Sequence, residues 1–326
     1  MMILSLLRNK FLSVLILFVC CGFFSQTEAQ QSRKTPVVSE VRFDTGNSAR
    51  NIPFELHNNH IYLQVKVNNS KPLSFILDTG ASSIISRKRA ESLDLKFRGT
   101  EQGFGLSENA VEAAIVEGVS LNLFGATLSR QTIAVIALED LQESSGRTVD
   151  GILGYSFLRR FVVEIDYGAK TINLHSPKSF RYKGKGLRVP LIVDADSGLI
   201  FARAVVKPSN RPPIKGLFEI DSGGGHALIL NKPFVERNNL LTAAQKANVV
   251  SLGGIVGSSR AAAGTVEALQ IGRSSSIKNV NTYFSLATGG MLASEEFDGN
   301  IGNDFLRHFI VTFDYSRRSM ILESGE

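Results

Sequence analysis

Apolar and polar positions along this chain fall into strand-length runs rather than helical stripes. "HIYLQVKV" (His60–Val67) alternates with a period of two, and "FARAVV" (Phe201–Val206) is a short, mostly apolar run; both read as strands. "FVVEIDYGAKTINLHS" predicts a hairpin, with one run ending near Asp166, a turn over Tyr167 to Lys170, and a return through Ile172 and Leu174. "FIVTFDYSRRSMILE" predicts the same hairpin with its turn near Ser316. "FLRRF" and "FLRHF" are long enough for one or two helical turns. The pattern therefore predicts an all-β chain: mainly β with short helices. One stretch breaks the pattern. In "FILDTGASSIIS" (Phe75–Ser86), Asp78 sits between two runs that favour burial. A buried carboxylate costs several kcal/mol unless it is paired or hydrogen-bonded.

The chain repeats itself. "DGILGYSFLRRFVVEIDY" (Asp150–Tyr167) and "DGNIGNDFLRHFIVTFDY" (Asp298–Tyr315) are identical at 10 of 18 positions, too many for chance. Upstream, "GLFEIDSGGGHALIL" (Gly216–Leu230) sets Asp221-Ser222-Gly223 where the first copy has Asp78-Thr79-Gly80. Further upstream, "IPFELHNNHIYLQVKV" resembles "VPLIVDADSGLIFARAVV". Two lobes of roughly 130–150 residues each are expected, one over 36–183 and one over 184–326. The basic, Gly-containing "PKSFRYKGKG" (Pro177–Gly186) lies between them.

Duplication predicts pseudo-two-fold symmetry, which brings equivalent residues face to face. Asp78 and Asp221 would meet on the axis and share one proton. Such a pair can do acid–base work on a water molecule. Gly80 and Gly223 would let the backbone turn sharply. Thr79 and Ser222 would bond across the axis and hold the two loops. Leu217-Phe218-Glu219-Ile220 leads into Asp221, and Glu219 reads as a solvated face of that strand. Gly224-Gly225-His226 reads as a loosened loop with a histidine able to perturb the pair.

Composition narrows the rest. Arg8, Lys10 and an apolar stretch from Phe11 to Phe24 predict a signal peptide over 1–29, ending at Ala29. That stretch is short for a membrane span of about 20 residues; a retained anchor is the alternative. The expected location is periplasmic or extracellular. Both cysteines, Cys20 and Cys21, fall in the leader, so a mature chain has no disulfide and no thiol nucleophile. A net charge of +6 without a basic, aromatic-interleaved run argues against nucleic acid. His57 and His60 lack further ligands for a metal. Asp150 and Asp298 read as caps before the short helices, and Asp166 and Asp314 as hairpin-turn residues.

The paired Asp-Thr/Ser-Gly motifs, each followed by a matching 18-residue block, resemble an exported bacterial aspartic peptidase of the retropepsin/pepsin-like family. The resemblance spans nearly all of 40–326. It implies two pseudo-symmetric β-barrel lobes with a cleft between them, an extended peptide or protein substrate, no cofactor and no metal. Asp78 and Asp221 would be catalytic, and Thr79, Gly80, Ser222 and Gly223 would support them. A monomer would suffice. The family also implies a flap. The Gly-rich stretches at 99–108 and 251–260 are the candidates, the first with Gly103, Phe104 and Gly105 near a substrate-contacting tip. The competing reading is a peptide-binding protein that keeps the cleft but does no chemistry.

Overall fold

The strands leading into Asp78 and Asp221 are buried because each lies inside a sheet rather than at its edge. The computed structural model describes residues 40–104, 110–194, 196–241, 248–254, 258–273 and 275–324. The expected leader at 1–29 and Gly105 lie outside the described residues. The fold is mainly β with short helices.

The first sheet contains β1 (Glu40–Phe43), β3 (Glu55–His57), β4 (His60–Val67), β5 (Leu73–Leu77), β6 (Ile84–Ser86), β7 (Phe97–Phe104), β8 (Ala110–Leu123), β9 (Ala126–Ile136) and β10 (Gly151–Leu153). Its order is β1-β9-β6-β10-β5-β4-β8-β7, with β3 on β4. An extra pairing of β8 with β9 closes six of these strands into a ring. The next sheet contains β14 (Ile192–Val193), β15 (Ile200–Lys207), β16 (Ile214–Ile220), β17 (Leu228–Leu230), β18 (Val249–Gly253), β19 (Ser258–Ile271), β20 (Ser275–Ser285) and β21 (Gly299–Ile301). Its order is β14-β15-β16-β21-β17-β20-β19-β18, and a β15–β19 pairing closes a second ring of six. Closure satisfies backbone groups that an open edge would expose.

A third sheet draws strands from both halves. It contains β2 (Ser48–Pro53), β11 (Val162–Asp166), β12 (Thr171–His175), β13 (Leu187–Pro190), β22 (Phe309–Asp314) and β23 (Ser319–Ser324). Its centre is an antiparallel pairing of the two repeated hairpins, Val163 opposite Phe313 and Ile165 opposite Val311. All four side chains are buried, so the hairpins hold the halves together through their apolar faces. The expected boundary at 183/184 falls between β12 and β13, two members of this one sheet. The described residues fall within one compact unit.

Among the described residues, short helices follow the strands: α1 (Arg87–Ser92), α2 (Glu139–Ser145), α3 (Tyr155–Leu158), α4 (Lys232–Arg237) and α5 (Asn303–Leu306). "FLRRF" and "FLRHF" supply the ends of α3 and α5, where Phe157, Leu158, Phe305 and Leu306 point into the core. None of the described helices is long and apolar enough to cross a membrane.

Asp150 and Asp298 do not cap these helices. Asp150 Oδ2 accepts from Ser74 N at 2.8 Å, and its Oδ1 accepts from Arg89 Nε and Nη2 at 3.0 and 2.7 Å. Asp298 accepts likewise from Leu217 N at 2.7 Å and from Arg237. Each carboxylate thus fastens the strand that carries a candidate aspartate to the helix beside it. Asp150→Ala is expected to cost about 1–3 kcal/mol, read from urea unfolding. An unchanged midpoint would mean the contact contributes nothing. Asp166 and Asp314 do cap turns, accepting from Ala169 N at 2.8 Å and Arg317 N at 3.1 Å.

Candidate active site

Asp78 and Asp221 each follow the last residue of a central strand. In the first sheet, β10 runs parallel to β5 and antiparallel to β6. In the second, β21 runs parallel to β16 and antiparallel to β17. The parallel neighbour ties down each Asp: Asp78 N donates to Leu153 O at 3.0 Å and Asp221 N to Ile301 O at 2.9 Å. Each carboxylate then accepts from its own loop, Asp78 Oδ1 from Gly80 N at 2.7 Å and Asp221 Oδ1 from Gly223 N at 2.8 Å. The side chain replaces the strand ladder as the acceptor, which ends the strand in a tight turn.

The two loops are bonded to each other through the hydroxyls. Thr79 Oγ1 donates to Ile220 O at 2.7 Å and accepts from Ser222 N at 2.9 Å. Ser222 Oγ donates to Leu77 O at 3.2 Å and accepts from Thr79 N at 3.1 Å. Both residues are 0% exposed, so these four bonds are shielded from competing water. They set Asp78 against the Cα of Gly223 and Asp221 against that of Gly80. A Cβ on Gly223 would overlap the Asp78 carboxyl, and one on Gly80 would lie 3.1 Å from Asp221 Oδ1. Glycine is required here for close approach.

Each carboxyl thus lies against the glycine of the other aspartate's loop. Burial pushes the Asp78 carboxyl well above the usual carboxylate range, and the Asp221 charge pushes it further.

A third carboxyl joins them. Glu219, expected on a solvated face, is 2% exposed. Burial and then the Asp221 charge push it well above its ordinary value. Asn300 Nδ2 donates both to Glu219 Oε2, at 2.9 Å, and to Asp221 Oδ2, at 3.0 Å. Asn300 Oδ1 is 2.6 Å from His226 Nε2, and an amide oxygen only accepts, so the imidazole carries its proton on Nε2. Burial lowers His226 and also His60 below the ordinary imidazole value, against the pull of Asp221. The sequence held one signal for Glu219. Strand residues two apart share a face, so an acid at 219 faces the same side as Asp221. For Asn300 the signal was a polar residue where the first copy has Ile152.

The glycines after Asp221 are packed rather than loose. A Cβ on Gly224 would collide with the His226 ring. One on Gly225 would lie 2.6 Å from Asn58 O. Asn58 and Asn59 form the turn between β3 and β4, with φ of 48° and 63°. This turn docks on the second loop: Asn59 Nδ2 donates to Gly225 O at 2.9 Å, and Asn303 Nδ2 to Asn59 O at 2.8 Å. "HNNH" is thus a hairpin turn that braces the site.

The expected flaps are antiparallel hairpins. β7 pairs with β8, with Gly103 opposite Val111 and Phe104 opposite Ala110; the connecting residues 105–109 lie outside the described residues. β18 pairs with β19 in the same way. Among the described residues no group of three or more His, Cys, Asp or Glu has the arrangement of a metal site.

Residues 63–157 match the family model of aspartyl proteases. The match begins in β4, takes in Asp78, Thr79 and Gly80, and ends within α3. No curated protein sequence matches the chain.

Proposed function

We propose that this chain is an aspartic endopeptidase built from two pseudo-symmetric lobes, with Asp78 and Asp221 as its catalytic pair. The observation that carries this reading is the crossed placement of the two carboxyls, each against the other loop's glycine, held by four bonds from Thr79 and Ser222 across the loops. The similarity of residues 63–157 to aspartyl proteases supports it from the first half. A water molecule between the carboxyls would lose a proton to the ionised one. The other would donate its proton to the substrate carbonyl oxygen as the water oxygen bonds to carbon. Collapse of the tetrahedral species breaks the C–N bond: the proton taken from water goes to the leaving nitrogen, and the proton on the former carbonyl oxygen returns to the carboxylate that gave it as the C=O re-forms. Thr79, Gly80, Ser222 and Gly223 hold the pair in place. The β7–β8 hairpin, including Gly103 and Phe104, would cover an extended peptide and exclude water. Export with loss of residues 1–29 belongs to the same proposal.

The rival reading, binding without chemistry, rested on a loose second loop. Gly224 and Gly225 are instead held in close contacts, and Asp221 keeps all its loop bonds. Incubating the purified chain with a mixed peptide library across pH, with mass-spectrometric readout, tests the proposal. Cleavage is expected to fall at both pH extremes and to resist chelators. Peptides carrying a hydroxyl in place of the scissile carbonyl should inhibit, since they mimic the tetrahedral species. Loss of activity with chelator, or binding without any cleavage, would reject it.

A further inference from the structure

Two identical carboxyls on a symmetric axis have equal claims on a shared proton. In this chain the surroundings are not equal. On the Asp78 side, β5 and β10 pair Ile76 with Ile152. On the Asp221 side, the corresponding register pairs Glu219 with Asn300. An apolar pair under one aspartate is therefore a hydrogen-bonded polar pair under the other.

We infer that Glu219 and Asn300 are positioning residues that divide the labour of the pair, keeping Asp221 as the ionised base and Asp78 as the proton-bearing acid. This rests on the peptidase reading. Asp221 accepts from Gly223 N, Gly224 N and Asn300 Nδ2, at 2.8, 3.1 and 3.0 Å. Asp78 accepts from Gly80 N among the described residues. Donors favour the charged form of a carboxyl, so the proton goes to Asp78. Asn300 Nδ2 meets two carboxyl oxygens, and the Asn300 oxygen receives the His226 Nε2–H. Reversing the amide would set its oxygen against Asp221 Oδ2.

Glu219 completes the arrangement. A Cβ placed on Gly80 would have Glu219 Oε1 at 2.9 Å and Asp221 Oδ1 at 3.1 Å, so the two carboxyls lie side by side. Both cannot be charged in a buried site without large cost. Glu219 therefore holds a proton and Asp221 the charge. The titratable groups facing this cluster are Asp78 after β5, His60 at the start of β4 and His226 in the second loop. Tyr315, after β22, faces Asp78. Burial disfavours charge on both histidines.

The test has an arm that does not need turnover. Carboxyl-carbon NMR of the labelled chain, assigned with Asp78→Asn, Asp221→Asn and Glu219→Gln, reports which groups carry protons. Near pH 6, Asp221 is expected to give a carboxylate shift, and Asp78 and Glu219 carboxylic-acid shifts. The kinetic arm uses Glu219→Ile with Asn300→Ile, which copies the apolar pair of the first half and so should fold. Its kcat is expected to fall about tenfold to a hundredfold, the worth of one lost bond to a charged group. The acid limb of its pH profile should move toward neutral pH. Glu219→Gln, whose amide oxygen still accepts from Asn300, should recover most of that loss. Equal protonation of Asp78 and Asp221, an ionised Glu219, or an unmoved acid limb in the double variant would overturn the inference while leaving the peptidase reading intact. The expected shifts in a parent chain that cleaves nothing would support the assignment of charge and reject the peptidase reading.

Discussion

Asp78→Asn and Asp221→Asn should each reduce peptide cleavage by at least about a thousandfold, the scale of lost general acid–base catalysis, and Asp78→Asn should melt at or above the parent temperature. Asn preserves shape and the bonds from Gly80 N or Gly223 N, so the loops stay closed. It cannot carry the charge or share the proton, so water is not activated. The stability sign follows for Asp78. Its folded value is raised above the unfolded one. Its contribution is then fully present below the unfolded carboxylate value, about 3.9, and is lost as pH rises through the folded value. The advantage of Asp78→Asn over the parent should therefore grow from pH 4 to pH 7. Glu219 has the same sign. His60 and His226 have the opposite one: their folded values are lowered, so their contribution is present above about 6.5 and is lost as pH falls. Calorimetry at pH 4, 5.5 and 7 checks this. An advantage of Asp78→Asn that shrinks with pH would contradict the burial argument, and cleavage surviving in both variants would remove the pair from the mechanism.

Thr79→Val should destabilise the chain by about 2–4 kcal/mol, although valine has the same shape. Thr79 Oγ1 serves both Ile220 O and Ser222 N in a fully buried position. Valine leaves that N–H and C=O without a partner, and an unsatisfied buried donor keeps its whole desolvation cost. Thr79→Ser retains the hydroxyl and should lose much less. Turnover should fall in the valine variant beyond the stability loss, because the bonds it removes hold Asp78 opposite Asp221. Urea unfolding and peptide cleavage on all three proteins separate these effects. Equal stability of the valine and serine variants would show that the methyl group, not the hydroxyl, matters at this position.

Several parts of this architecture were legible along the chain. The β11–β12 and β22–β23 hairpins follow from runs that end at Asp166 and Asp314, residues whose carboxylates cap the turns. The short helices follow from "FLRRF" and "FLRHF". The crossed Thr79–Ser222 bonds could be anticipated because a repeated motif sets like beside like. Other features were hidden. Asp150 and Asp298 stand next to short helices in sequence, yet their oxygens reach Ser74 and Leu217, more than 70 residues upstream. Glu219 looked solvated because alternation in an isolated strand cannot say what covers each face.

By itself the sequence determined local periodicity, the turns and the duplicated Asp-Thr/Ser-Gly. These depend on backbone preference and side-chain order, which act over a few residues, and on repetition, which can be read directly. Only the tertiary structure decided that the two halves share one sheet, that the β3–β4 turn packs on Gly225, and that Glu219, Asn300 and His226 gather around Asp221. The physical reason is burial. Whether a carboxyl or an imidazole is charged depends on the water removed from it and on the donors brought to it, and both are set by segments distant in sequence.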